Sequence, residues 1–305
     1  MKKAIVLGFI FALSKATAAT FDVYADALYW QTTETVDWAL VISPSSTNSQ
    51  KVTFETICFH WNPGFRVGVG FTELCDCWDT QFSYTYFRAH ATNHTKGDKI
   101  RSNFFGPKLS LVGFFQEANI KTRIDYNIFD WELGRLFYPT PCISFRPMIG
   151  LKGGWIDQTL NTSWKKTVDI FNILIFPVTA TENVTNNFWG IGPQGGVNGR
   201  WFFTEYFSLV GDFAAAFMWG HWSFSDQYVD SLISNIVIKE DDRNFGALML
   251  QGFIGLGFDF PCFSLKVGYE VQDWFNQYQV FDLGTGGQNQ DLLLQGLTAH
   301  VRFDF

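Results

Sequence analysis

The chain has 305 residues, of which 18% are aromatic and only 17% are charged, and it includes 34 Phe, 12 Trp and 27 Gly. Charged residues make up about a quarter of an ordinary soluble domain, so this composition is unusual for one. A formal net charge of −7 argues against nucleic acid as a partner, because nucleic-acid binding requires a basic surface.

The N-terminal residues have the pattern of a secretory signal peptide. Two lysines follow Met1, an apolar run comes next, and small residues around Ala18 and Ala19 offer cleavage sites. The apolar run is too short to cross a bilayer of about 30 Å as a helix. We therefore predict that residues 1–19 direct export and are removed, and that residues 20–305 form a single domain.

Alternation of apolar and polar residues predicts about ten β-strands in the exported chain. In the first strand, Phe21, Val23 and Tyr29 share one face, while Asp22 and Asp26 share the other. The predicted strands are residues 21–30, 65–72, 78–90, 120–137, 145–155, 189–201, 207–219, 248–258, 263–271 and 297–305. Short turns alternate with long loops, such as residues 91–118 and 157–186. A break in the alternation near Ile128 predicts a β-bulge.

The last predicted strand has the cleanest pattern and ends on an aromatic residue. Its apolar face is Leu297, Ala299, Val301, Phe303 and Phe305, and its polar face is Thr298, His300, Arg302 and Asp304. Such a strand is typical of the end of bacterial outer-membrane barrels, and an edge strand of a soluble sheet is the alternative. Because sheet edges cannot lie open in lipid, we expect Phe303 and Phe305 to belong to the strand that closes the barrel against residues 21–30.

Together these patterns predict an all-β protein. We expect a transmembrane antiparallel β-barrel of about ten strands, with short periplasmic turns and long extracellular loops, in the lipid of the bacterial outer membrane. Twelve strands are the alternative, if the first or the second long loop folds as a hairpin. The exported chain has no apolar run long enough for a transmembrane helix.

Charged residues of both signs fall on the predicted inward face. The candidate lumen-lining residues are Asp26, Arg66, Asp79, Arg146, Lys152, Arg200, Asp212, Lys266, Glu270 and Arg302. They would tune ion selectivity in a water-filled lumen, and they would form salt bridges in a packed interior. Side chains just fill a barrel of about eight strands, so ten strands predict a narrow lumen at best. Inward glycines such as Gly68 and Gly150 would leave some space.

The exported chain contains five cysteines, of which Cys58 lies in a long loop. The other four fall in or beside predicted periplasmic turns, and we call them the rim cysteines: Cys75, Cys77, Cys142 and Cys262. The periplasm permits disulfides, and an odd count leaves at least one thiol free or bonded to another molecule. We hypothesise that the rim cysteines form cross-links within the barrel or to neighbouring molecules, and reduced thiols are the alternative.

The residue patterns do not indicate catalysis. The chain has five histidines, and no spacing selects a nucleophile with its base. Cys75 and Cys77 are one residue apart, which is not the spacing of a usual zinc pair. We therefore expect no enzyme activity, no cofactor and no metal site.

Several segments resemble the Legionella-type major outer membrane protein family, which also has members in chlamydia-like bacteria and is described as pore-forming. The resembling segments are residues 26–30, 63–70, 125–134, 146–150, 188–193, 199–202 and 211–215. The resemblance implies a narrow pore for small hydrophilic solutes or ions, whereas the strand count alone favours a closed lumen. A structural or adhesive barrel is therefore the alternative. The resemblance also strengthens the idea of disulfide-linked envelope proteins, or a second copy of this chain, as partners.

Overall fold

The computed structural model describes residues 19–34, 36–44, 50–73, 77–104, 113–170, 174–232, 235–282 and 286–305, and these residues form a closed antiparallel β-barrel. The predicted all-β fold and the ten strands of the barrel wall are confirmed. Within the described ranges, no helix is both long and apolar enough to span a bilayer. The predicted signal peptide, apart from Ala19, lies outside the described residues.

Ten of the thirteen strands in the described residues make up the wall. The strands are β1 (Ala19–Thr33), β2 (Asp37–Pro44), β3 (Gln50–Thr56), β4 (Trp61–Glu73), β5 (Trp78–Ser102), β6 (Phe115–Arg135), β7 (Phe137–Thr140), β8 (Ile143–Ile170), β9 (Leu174–Phe202), β10 (Phe207–Asp230), β11 (Asn235–Asp259), β12 (Phe263–Asp282) and β13 (Gly286–Asp304). Around the barrel the order is β1, β4, β5, β6, β8, β9, β10, β11, β12 and β13. The short β7 pairs with β8 at a turn.

The first and last strands close the barrel. β1 pairs with β4 on one side and with β13 on the other, and Asp22 lies opposite Asp304 at the seam. Backbone hydrogen bonds between Phe21 and Phe305 extend the seam to the last residue, at 3.3 and 2.8 Å. The wall therefore leaves no unpaired edge at this position in the lipid.

Alternate residues of each wall strand face lipid and interior. In β1, outward Tyr29 is 51% exposed, whereas inward Asp22 and Trp30 are 2% and 1% exposed. Outward aromatic residues form a periplasmic belt of Phe21, Phe71, Trp78, Phe145, Trp201, Phe263 and Phe303, and an outer belt of Tyr29, Trp61, Phe129, Trp155, Trp189, Trp219 and Tyr269. Such belts flank the apolar band of outer-membrane barrels.

The wall strands continue far beyond the outer belt, so the predicted long loops at 91–118 and 157–186 are mostly wrong. β8 and β9 have 28 and 29 residues, whereas a tilted strand crosses the hydrocarbon with about 9–11 residues. Beyond Trp155, the outward side chains of β8 become polar, as at Asn161, and the inward ones become apolar, as at Leu160. The outer part of the barrel therefore lies in water outside the membrane and encloses an apolar core.

The first long loop contains the hairpin β2–β3, which does not enter the wall. β2 pairs with β5 over three residues only, from Ala39 to Val41, at the end of β5. The twelve-strand alternative is therefore not formed by this hairpin. Trp38 in β2 and Phe59 just after β3 are 0% and 3% exposed because the loop folds into the mouth of the barrel.

The bulge predicted near Ile128 is also wrong. The pairing of β6 with β5 and with β8 continues without a shift through this residue. The alternation looked broken because Ile128 is an apolar side chain that packs inside the barrel, where it is 0% exposed.

Candidate functional site

The periplasmic half of the barrel encloses a cavity of about 620 Å³, which we call the vestibule. It reaches the periplasmic rim, because Glu73, Tyr138 and Phe260 are among its lining residues. Of the ten candidate lumen-lining residues, nine line the vestibule. The tenth, Lys152, is 2% exposed, and its ammonium lies 2.5 Å from the carboxylate of Asp130, which does line it.

An ion-pair network centred on Arg66 lies at the inner end of the vestibule. The Arg66 guanidinium lies 2.8 Å from Asp26 and 2.7 Å from Glu270. The other oxygen of Asp26 is 2.6 Å from Nδ1 of His300. Thr298 donates to Glu270 at 2.8 Å. These groups come from β1, β4, β12 and β13, so the network joins four wall strands across the closing seam.

A second network surrounds Arg146 on β8. Its guanidinium donates through Nε to both oxygens of Asp79 at 2.8 Å, and through Nη1 to Glu132 at 3.0 Å and Asn198 at 2.8 Å. Arg146 and Asp79 are both 8% exposed. Charge-assisted bonds of this kind fix side chains, so these charges belong to a packed interior more than to a mobile, hydrated surface.

The space beside the inward glycines is occupied by neighbouring side chains. A methyl group at Gly68 would meet the ring of Tyr24, and one at Gly268 would lie 2.6 Å from the ring of Phe253. The glycines therefore admit aromatic rings against the backbone and do not widen the lumen as the sequence suggested.

Six aromatic side chains fill the barrel above the Arg66 network, and we call them the aromatic layer. They are Trp30, Phe87, Tyr126, Phe188, Trp222 and Trp274, each at most 1% exposed. Tyr126 on β6 and Trp274 on β12 come from opposite sides of the ten-strand ring, yet their ring centroids are 5.8 Å apart. The hydroxyl of Tyr126 also donates to Gln272 of β12 at 2.6 Å.

Above the aromatic layer, the interior is filled by the loop that carries the first hairpin and by three buried carboxyl groups, those of Glu34, Glu182 and Asp226. The rings of Trp38 and Trp164 are 5.7 Å apart. Glu34 accepts a hydrogen bond from Gln158, and burial raises the pKa of its carboxyl to about 8. Burial and the nearby Asp226 carboxylate raise the pKa of Glu182 well above its usual range. The predicted loops cover this region, although the period-two pattern continues through it.

The cysteines lie at both ends of the barrel. Cys77, Cys142 and Cys262 are exposed beside periplasmic turns and are not disulfide-bonded in the described part, while Cys58 is exposed on the outer side. Cys75 lies outside the described residues.

The histidines are dispersed. His94 is 3.1 Å from Glu117 on the outer surface, His221 is 3.0 Å from Asn244, and His300 contacts Asp26 inside the barrel.

The model of a protein family described as Legionella pneumophila major outer membrane protein precursor matches residues 15–305, which is nearly the whole chain. The family resemblance noted in the sequence is therefore confirmed. Among curated proteins, none matches the sequence significantly.

Solved outer-membrane structures are similar at low sequence identity. The outer membrane protease OmpT of Escherichia coli is 12% identical with a TM-score of 0.47, over 96% of this chain and 99% of that one. A major outer membrane protein of Thermus thermophilus is 12% identical with a TM-score of 0.37, over 94% and 100%. The toluene transporter TbuX of Ralstonia pickettii is 10% identical with a TM-score of 0.35, over 95% and 90%. Each TM-score is below 0.5, and none of these likenesses bears on the activity of this chain.

Proposed function

We infer that this chain, which belongs to the Legionella pneumophila major outer membrane protein family, is an outer-membrane barrel with a structural or adhesive role and a closed lumen. The aromatic layer carries this proposal. Rings from opposite strands, such as Tyr126 and Trp274, contact each other across the interior, and a close-packed layer of this kind would exclude hydrated ions.

The outer part of the barrel supports the adhesive side of the proposal. β8 continues for fifteen residues from Ile156 to Ile170 beyond the outer belt, which is about 50 Å along the strand at roughly 3.3 Å per residue. The outward face of β6, β8, β9 and β10 in this region has a depression of about 490 Å³ lined mainly by residues with polar side chains. Its lining includes Asn119, Lys121, Asn161, Asn183 and Gln227. A surface of this kind offers hydrogen-bonding groups to partners outside the cell.

A porin-like narrow pore is the second candidate. The observation that favours it is the vestibule, which already opens the periplasmic half of the barrel and is lined by charges of both signs. Conduction would require the aromatic layer and the folded-in first loop to move. Both roles are non-catalytic, and we propose that the barrel has no enzyme activity. Peptide cleavage by the refolded barrel, lost on changing one histidine, would contradict that part of the proposal.

Single-channel recording in planar bilayers separates the two candidates. Folding is first verified by heat-modifiable mobility in gel electrophoresis. We expect the wild-type barrel to give no conductance steps, and the double variant W274A/Y126A, which removes the central rings, to give them. The matched variant W189A removes a lipid-facing ring that is 58% exposed and should stay silent. Ordered steps from the wild-type barrel, with ion selectivity changed by R66E, would establish the pore instead.

We also propose that the rim cysteines link the barrel to envelope proteins or to a second copy. Three of them are exposed on the periplasmic side, where disulfides form. Non-reducing electrophoresis of cell envelopes should show adducts that reductant removes and that persist in C58S. A monomer unaffected by reductant would exclude intermolecular links.

We further propose that the signal peptide is removed on export. The mass of the protein purified from outer membranes should then correspond to a chain that begins near Ala19. An intact Met1 in that material would contradict this.

A further inference from the structure

Two charged side chains of opposite sign face the vestibule without a partner. Lys266 on β12 and Asp212 on β10 both line the cavity. No salt bridge joins either to another described residue, and the buried Oδ1 of Asp212 accepts no hydrogen bond there. The other candidate lumen-lining charges are each held by at least one ion pair. These two residues thus differ from the other eight candidate lumen-lining residues.

The Lys266 ammonium and the Asp212 carboxylate interact electrostatically but do not form an ion pair. The Asp212 carboxylate acts electrostatically on the Lys266 ammonium, as do the guanidinium groups of Arg200 and Arg302. Their separation nevertheless exceeds about 4 Å, the limit of an ion pair. Arg200 is itself neutralised by Asp259, at 2.8 Å. Lys266 therefore remains the cation in this group that is free to take a new anion.

The strand between them explains the gap. β11 separates β10 from β12, and its inward positions next to Lys266 are glycines, with Gly257 directly opposite Lys266. The ring of Phe253, which lies opposite Asp212 on β11, covers Gly255, and the side chains of Ser208 and Val210 cover Gly257. The floor between the ammonium and the carboxylate is therefore formed by uncharged side chains. The result is a recess with a cation at one end, an anion at the other and an aromatic face beside them.

We propose that this recess binds a small zwitterion of the α-amino acid class from the periplasm. Lys266 would take the carboxylate and Asp212 the ammonium group through charge-assisted hydrogen bonds, and the ring of Phe253 would contact an apolar side chain. A simple anion would satisfy only Lys266, and a simple cation only Asp212. The proposal does not depend on whether the lumen conducts.

Calorimetric titration of the refolded barrel in a non-ionic detergent tests the site. The probes are glycine, acetate, which has only the anionic group, and ethylammonium, which has only the cationic group. We expect saturable glycine binding in roughly the millimolar range, given the small size of the ligand. Acetate and ethylammonium should each bind about tenfold more weakly, since each lacks one charged hydrogen bond. This comparison needs only the wild-type barrel.

Variants then assign the groups. K266Q should weaken glycine and acetate by about tenfold, and D212N should weaken glycine but not acetate. K51Q, which changes an exposed lysine of the first hairpin, should leave both unchanged. Absence of saturable glycine binding, equal affinity for glycine and acetate, or unchanged glycine affinity in folded K266Q would each overturn the proposal. Channel recordings on the same preparations show independently whether the lumen is closed.

Discussion

Replacing Glu270 by glutamine should weaken the barrel strongly. Glu270 is 2% exposed and accepts hydrogen bonds from Arg66, Thr298, Gln272 and Gln251 at 2.7 to 3.0 Å. Removing one partner of a buried ion pair costs about 3–5 kcal/mol. Arg66 would keep its contact with Asp26, and the new amide oxygen would still accept some of the donors. We therefore expect a loss of about 3 kcal/mol in the free energy of unfolding.

Urea unfolding of the barrel refolded in lipid vesicles, followed by tryptophan fluorescence, measures this loss. The matched control is E117Q, because Glu117 is a partly exposed carboxylate that contacts His94 and Lys96 on the outer surface. It should leave the unfolding midpoint unchanged. If E270Q unfolds at the same urea concentration as E117Q, the Arg66 network does not stabilise the closing seam.

Three further predictions concern other parts of the barrel. G150A should destabilise the barrel by about 1–3 kcal/mol, because the added methyl group would collide with the backbone of β6. G252A should not, because a methyl group at Gly252 would lie in open space, and the urea unfolding midpoints of the two variants test this difference. The pKa of the Glu34 carboxyl rises from 4.5 in the unfolded chain to about 8 in the folded barrel, so the free energy of unfolding should fall as the pH rises from about 4.5 to about 8 and then level off. E34Q should remove this part of the dependence of stability on pH, and an unchanged dependence would contradict the burial of the carboxyl. After mild reduction, a membrane-impermeant maleimide should label Cys58 on intact cells and the rim cysteines only once the outer membrane is permeabilised, and the opposite labelling would invert the topology.

The sequence was sufficient for the membrane-embedded half of the barrel because lipid imposes a strict rule there. Outward residues such as Val23 and Phe303 must be apolar, so period two assigns the strands and their faces. Beyond the outer belt the rule reverses, with polar residues such as Asn161 outward and apolar ones such as Leu160 inward. A prediction that requires apolar residues on the outward face of each strand therefore assigns this region to loops.

Whether side chains close the lumen depends on the register between strands and on the shear of the barrel, and neither can be deduced from the sequence of a single strand. Period two places Trp30 and Tyr126 inward, but only the stagger of ten strands brings their rings to the level of Trp274. The position of Tyr24 over Gly68 likewise depends on the pairing of β1 with β4. For the same reason, the sequence alone could not show that Lys266 and Asp212 face one recess.

The seam between β1 and β13 has a consequence for how the protein assembles. Contacts there join the two ends of the chain, as in the hydrogen bond from Trp30 to Thr298, 268 positions apart. Contacts between such distant residues are the slowest to form in folding. The final step of assembly should thus be the meeting of the first and last strands, and until that step both would present open edges to the membrane. Loss of the last strand would leave β1 and β12 in that state permanently, so quality control of this protein should act mainly on β13.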